Sequence, residues 1–201
     1  MAHHTSITDF NRSHPLQVRL WGGKAIILWA IFICPLSSFA QSGALDLSFG
    51  TNGKVITAIG NADDAAYAVV IQTDGKIVAA GYSSNSSYYD FALIRYNTDG
   101  TLDTTFGTNG KVTTNFGGWG SCISSAAIQS DGKIVAVGYY GQSGYTYIAI
   151  ARYNPNGSLD SSFDGDGKVI DSIGVYSSDR AQSIAIQCDG KFVAGGWTDT
   201  G

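Results

Sequence analysis

One octapeptide comes back twice. Ile71-Gln72-Thr73-Asp74-Gly75-Lys76-Ile77-Val78 returns as Ile128-Gln129-Ser130-Asp131-Gly132-Lys133-Ile134-Val135, then as Ile186-Gln187-Cys188-Asp189-Gly190-Lys191-Phe192-Val193. In each copy two apolar runs meet at an Asp-Gly pair. That pattern predicts a β-hairpin with a type I′ turn, whose two central residues both take positive φ. The pairs Asp74-Gly75, Asp131-Gly132 and Asp189-Gly190 lie 57 and then 58 residues apart. A fixed period of this length means tandem supersecondary units that bury their apolar faces by stacking on one another. The three aspartates are read as turn formers rather than ligands.

Composition narrows the unit to strands. The chain has 26 Gly, 11 Tyr and 9 Phe but only 3 Pro. It contains no Glu, so every acidic side chain is Asp. Glu favours helix, whereas Asp and Gly favour turns. An all-β fold is predicted.

The first 40 residues read as a leader. A polar, basic segment precedes the apolar run Ala25-Ile26-Ile27-Leu28-Trp29-Ala30-Ile31-Phe32-Ile33, and Ser38 and Ala40 supply small residues before a cut after Ala40. These are the parts of a secretory signal peptide, and the run is too short to span a bilayer. Secretion or display at the cell surface is expected, with membrane contact only through this export signal. His3, His4 and His14 all fall in the leader, so the exported chain has no imidazole for a triad or a zinc site. After residue 40 the chain carries nine basic and fifteen acidic side chains, a net −6. That is not the footprint of a nucleic-acid binder.

The copies divide the remainder into repeats at 43–99, 100–156 and 157–201, the third partial. Within the first, strands are expected near 54–59, 65–72, 76–83 and 90–97, an antiparallel meander. Its tandem repetition predicts a β-propeller-type array of four-stranded antiparallel blades, two complete and one in part. Gly81, Gly138 and Gly196, each followed by an aromatic residue (Tyr82, Tyr139, Trp197), are read as points of close sheet-on-sheet approach. Asp46, Asp103 and Asp160 recur ahead of Phe49, Phe106 and Phe163, while Arg95 and Arg152 recur in the last strand. Pairing of these Asp and Arg residues within or between blades is expected.

These motifs carry a family resemblance. Leu-Asp-x-Ser/Thr-Phe-Gly-Thr-Asn-Gly-Lys-Val, then Ile-Gln-x-Asp-Gly-Lys-Ile-Val-x-x-Gly, then Ala-Leu/Ile-x-Arg-Tyr-Asn resembles the delta-60 repeat over residues 43–201. The resemblance implies a bacterial β-propeller family of exported or cell-surface proteins with no established activity. A propeller ring needs about four to eight blades. Fewer blades leave apolar faces and sheet edges open, so the chain is read as a fragment of a longer protein. Self-association of the incomplete blades is the alternative.

No catalytic residue and no cofactor site stand out. Asp160, Asp164 and Asp166, with Gly165 and Asp171, follow the spacing of a calcium loop, but the flanking helices are missing and a turn is the preferred reading. The loops Tyr82 to Asp90 and Tyr139 to Tyr147 differ most between copies and are the candidate recognition surface. Cys122 and Cys188 occupy different repeat slots and are read as unrelated thiols, a disulfide between them being the other option. The expectation is a non-enzymatic binding or scaffold module for a protein or glycan. The alternatives are a carbohydrate-active enzyme using Asp carboxylates and a calcium-binding surface protein.

Overall fold

A computed structural model describes residues 44–200, apart from 86, 175 and 176. The leader read at 1–40, with Cys34 and the three histidines, lies outside the described residues. Ten strands follow one another without a helix among the described residues: β1 (Asp64–Ile71), β2 (Ile77–Ser84), β3 (Tyr89–Tyr96), β4 (Lys111–Thr114), β5 (Gly120–Ile128), β6 (Ile134–Gln142), β7 (Tyr145–Tyr153), β8 (Lys168–Asp171), β9 (Ser177–Ile186) and β10 (Phe192–Thr200). They form two four-stranded sheets, β1-β2-β3-β4 and β5-β6-β7-β8, and the two-stranded sheet β9-β10. Every pair is antiparallel. The architecture is all-β, with two complete propeller blades and part of a third.

Sheet and repeat are out of phase. The chain leaves β3 by the turn at Asn97–Gly100, where the Gly100 amide donates to the Asn97 carbonyl at 3.0 Å. Leu102 then bridges back to Tyr96, and the amide of Asp103 donates to the Arg95 carbonyl at 2.9 Å. Folding back in this way sets Lys111–Thr114 beside Phe91–Ile94. The opening segment of the second copy therefore completes the first blade, and that of the third copy, β8, completes the second. The strand expected at 54–59 is absent for the same reason. Its partner would be the last strand of a preceding repeat, and none is present among the described residues.

The hairpin turn also differs from expectation. The Gly75 amide donates to the Gln72 carbonyl at 2.9 Å, and Gln72 donates to Lys76 at 2.8 Å. Only Gly75 has positive φ (82°), not Asp74. This is a type I turn closed by a left-handed glycine, with the Asp74 carboxylate accepting from the Lys76 amide at 3.1 Å. A turn with positive φ at both central residues does occur, at Ser143 (54°) and Gly144 (88°). It joins β6 to β7, so the region 139–147, read as a long loop, is mostly strand.

Each sheet offers both faces for burial. Val78, Ala80, Phe91 and Leu93 of the first blade pack on Ile123, Ile134, Ala136, Ala149, Ala151 and Tyr153 of the second. On its other side the second blade presents Val135 and Val137 to Ala181, Ile184, Phe192 and Ala194. Small side chains facing large ones let the sheets interdigitate at core density. The buried phenol of Tyr153 donates to Thr114 Oγ1 at 2.8 Å and so ties the second blade to the closing strand of the first.

Candidate functional site

The recurring charged residues converge on one unit per junction between sequence repeats. Arg95 Nε lies 2.8 Å from Asp103 Oδ2, and Lys76 Nζ lies 2.9 Å from the same oxygen. Arg95 also donates to Thr105 Oγ1 at 3.2 Å, to the Pro155 carbonyl at 2.6 Å and to Gln72 Oε1 at 3.2 Å. Its guanidinium covers the Phe106 ring at 4.6 Å. The second junction repeats this arrangement. Arg152 stands 2.7 Å and Lys133 3.3 Å from Asp160 Oδ2, Ser162 replaces Thr105, and Phe163 lies 4.7 Å beneath the guanidinium.

Each of these clasps joins the hairpin lysine and third-strand arginine of one copy to the Asp, hydroxyl and Phe of the next. Hydrogen bonding from Thr105, with Lys76 and Arg95 beside it, holds the Asp103 carboxyl well below the usual range against the opposing effect of burial. Ser162 does the same for Asp160, again against desolvation and helped by Lys133 and Arg152. Asp46, at the corresponding position of the first copy, has no cation within ion-pair distance among the described residues. Its carboxylate accepts from the Ser48 amide at 2.9 Å and hydroxyl at 2.6 Å.

The calcium-like spacing does not assemble a site. Asp160 is committed to two cations. Asp164 sits at a turn with φ 51°, and Asp166 accepts from the Lys168 amide at 2.8 Å. Among the described residues no group of three His, Cys or Asp side chains is arranged to hold a metal. Asp74, Asp131 and Asp189 each accept from the amide two residues on, at 3.1 to 3.2 Å, and act as turn residues. Cys122 and Cys188 are free thiols, the first buried and the second exposed.

A second constellation was not visible as a motif. The first strand of every blade carries a bulge at the same place: between Ala66 and Ala68 in β1, between Ile123 and Ser125 in β5, and between Ala181 and Ser183 in β9. The residue at each bulge is Tyr67, Ser124 or Gln182. A bulge re-aims its side chain out of the regular alternation. Here Tyr67, Ser124 and Gln182 line one pocket with Cys122 and Tyr139, of about 400 Å³.

The recurring glycines explain why the bulge persists. A Cβ on Gly81, Gly138 or Gly196 would land on the carbonyl oxygen of Ala65, Cys122 or Arg180, in the strand alongside. These glycines therefore admit the bulged neighbour within a sheet, rather than a close approach between sheets. Of the adjacent aromatic residues, Tyr139 lines the pocket, Tyr82 neighbours Tyr67 and Trp197 neighbours Arg180. Tyr82 stands 6.0 Å from Tyr67, and Arg180 covers Tyr139 at 4.2 Å and Trp197 at 5.4 Å, ring centre to guanidinium. Burial pushes the Cys122 thiol up to about 11, opposed by a hydrogen bond with Tyr139 and by the charge of Arg180.

The signal for this pocket lay in the residues that vary at a constant slot. Position 67 reads Tyr, Ser, Gln through the copies, and position 65 reads Ala, Cys, Arg, while the glycine opposite never changes. A family model described as a domain of unknown function (DUF5122) beta-propeller matches residues 72–106 and 129–163. No curated protein matches the chain. Each family match starts at a hairpin glutamine and ends at a clasp phenylalanine, so it contains every charged member of one clasp. Two stretches of the chain are thus similar to the DUF5122 beta-propeller domain, and the Arg–Asp clasp between sequence repeats is what each matched stretch encloses.

Proposed function

We propose that the chain is an exported, non-enzymatic binding module that takes a glycan or protein ligand at the pocket beneath the bulges. One observation carries this reading: three equivalent positions on three successive blades converge on one pocket, yet hold Tyr67, Ser124 and Gln182, while the surrounding scaffold repeats. Side chains that differ between copies on a constant backbone supply recognition chemistry without changing the fold. The clasp carboxylates weigh against Asp-based hydrolysis, since two cations engage each one, in Asp103 and in Asp160. A general acid needs a carboxyl raised toward neutrality, the opposite of what these neighbours impose. Export rests on the leader segment.

Binding of the labelled chain to intact bacterial surfaces tests the proposal, with surfaces stripped by protease or oxidised by periodate as the comparison. Loss after periodate identifies a glycan and loss after protease a protein. Tyr67→Ala and Gln182→Ala are expected to weaken binding with an unchanged melting temperature. Undiminished binding by both variants would place the ligand elsewhere and reject the pocket.

A further inference from the structure

Arg180 is the one arginine among the described residues that serves no clasp. Arg95 and Arg152 each hold an aspartate, whereas Arg180 has no carboxylate within ion-pair distance among the described residues. Its one side-chain hydrogen bond among the described residues is a long one, from Nε to Thr146 Oγ1 at 3.5 Å. The side chain is nevertheless held in place. The guanidinium lies over Tyr139 at 4.2 Å and beside Trp197 at 5.4 Å. Stacking on aromatic faces fixes an arginine while leaving its edge donors unspent. Tyr139 is itself a wall of the bulge pocket, with Tyr67, Cys122, Ser124 and Gln182.

We infer that this pocket binds a saccharide bearing a carboxylate, such as a uronic or sialic acid unit, with Arg180 receiving the acid. The inference rests on the binding reading above and names its ligand class. A planar guanidinium with unspent donors matches a carboxylate in charge and in fork geometry. Arg180 is the one cation stacked on a ring of the pocket lining among the described residues, so one negative charge is matched better than the two of a phosphate. The exposed ring of Tyr67 offers a flat apolar face for the C–H side of a pyranose. The Ser124 hydroxyl and Gln182 amide supply both donors and acceptors for its hydroxyl groups. A pocket of about 400 Å³ falls within the size of small-ligand sites and holds one to two sugar rings. Arg180 stands at the slot held by Cys122 and Ala65 in the earlier copies, so the charge is placed once rather than around the whole array.

Calorimetric titration of the full chain with galacturonic, glucuronic and sialyl oligosaccharides, each beside its methyl ester, tests the inference. At least one acid is expected to bind about tenfold more tightly than its ester, the factor for one charge-assisted hydrogen-bonded contact. Arg180→Gln is expected to remove that preference while leaving the ester's affinity in place, and Arg180→Lys to keep part of it. Equal affinity for an acid and its ester would overturn the inference and leave the binding module standing, as would an unchanged preference in Arg180→Gln. The ester comparison needs no variant, so a folding defect cannot mask it. Failure of every acid to bind overturns the inference, and failure of the surface-binding measurement as well overturns the module itself.

Discussion

Arg95 and Asp103 meet 2.8 Å apart across the boundary between two sequence repeats, with both side chains buried. The contact turns a covalent tandem into a mechanical one. The arginine belongs to the third strand of a blade, and the aspartate belongs to the copy that closes it. Because Arg95 also donates to the Pro155 carbonyl at 2.6 Å, one side chain reaches from the first blade to the turn that leaves the second.

Arg95→Ala is expected to lower the melting temperature more than Arg152→Ala does. The Arg95 side chain is 7 % exposed and that of Arg152 is 17 % exposed. Stripping one partner from a buried ion pair costs about 3–5 kcal/mol. Lys76 still neutralises Asp103 at 2.9 Å, which places Arg95→Ala near the low end of that range. Thermal unfolding followed by circular dichroism measures the order. Equal midpoints for the two variants would show that the added reach to Pro155 contributes nothing.

Acid should withdraw the stability that the clasps contribute. Asp103 and Asp160 are held below the ordinary carboxyl value, by Thr105 and Ser162 first and by their cations after them. A carboxyl lowered on folding contributes stability that is complete above its unfolded value of about 3.9. That contribution is lost as pH falls through this value toward the folded one. The urea midpoint is therefore expected to be level above about pH 5 and to fall steadily below about pH 4. In Asp103→Asn the fall should be shallower. A slope identical to that of the parent chain would remove Asp103 from the account.

Glycine at the bulge is a requirement of the backbone, and a neighbouring glycine makes the control. An added Cβ on Gly138 would meet the Cys122 carbonyl oxygen, whereas on Gly141 the nearest atom is the Gly120 carbonyl oxygen at 3.6 Å, an ordinary contact. Gly138→Ala must shift a strand, so its cost is expected at or above the top of the roughly 1–3 kcal/mol typical of overpacking. Gly141→Ala should change the unfolding free energy by less than about 0.5 kcal/mol. Chemical denaturation of the two variants gives the comparison.

The strands that flank each hairpin could be read directly, because local chemistry decides them. Asp74-Gly75 can only end one strand and begin another, and β1, β2 and β3 fall within one or two residues of the expected bounds. The phase of the sheet could not be read that way. A period fixes the length of the unit but not where pairing cuts it, and the pairing of Leu93 with Val112 is a contact between copies. The clasp was legible as recurring Asp and Arg, although Lys76 and Phe106 joined it only in three dimensions. The bulge pocket was hidden for a further reason. A bulge is a mismatch in register, Gly81 facing Ala66 while Ala80 faces Ala68, and no single strand records it.

In the chain after residue 40, the thiols of Cys122 and Cys188 should separate by more than two orders of magnitude in reactivity. Cys188 is exposed at the third hairpin, between Gln187 and Asp189. Cys122 is buried, and burial raises its thiol to about 11, so at pH 8 only about one molecule in a thousand carries the thiolate that attacks a disulfide reagent. Exposure and ionisation act in the same direction. With an aromatic disulfide reagent at pH 8, the fast phase is expected to vanish in Cys188→Ser, and a slow phase at least about 100-fold slower to vanish in Cys122→Ser. Denaturant should merge the two rates, since unfolding exposes Cys122 and returns its thiol to an ordinary value near 8.5. A fast phase that survives in Cys188→Ser but is lost in Cys122→Ser would place the Cys122 thiol within direct reach of reagent, against its burial.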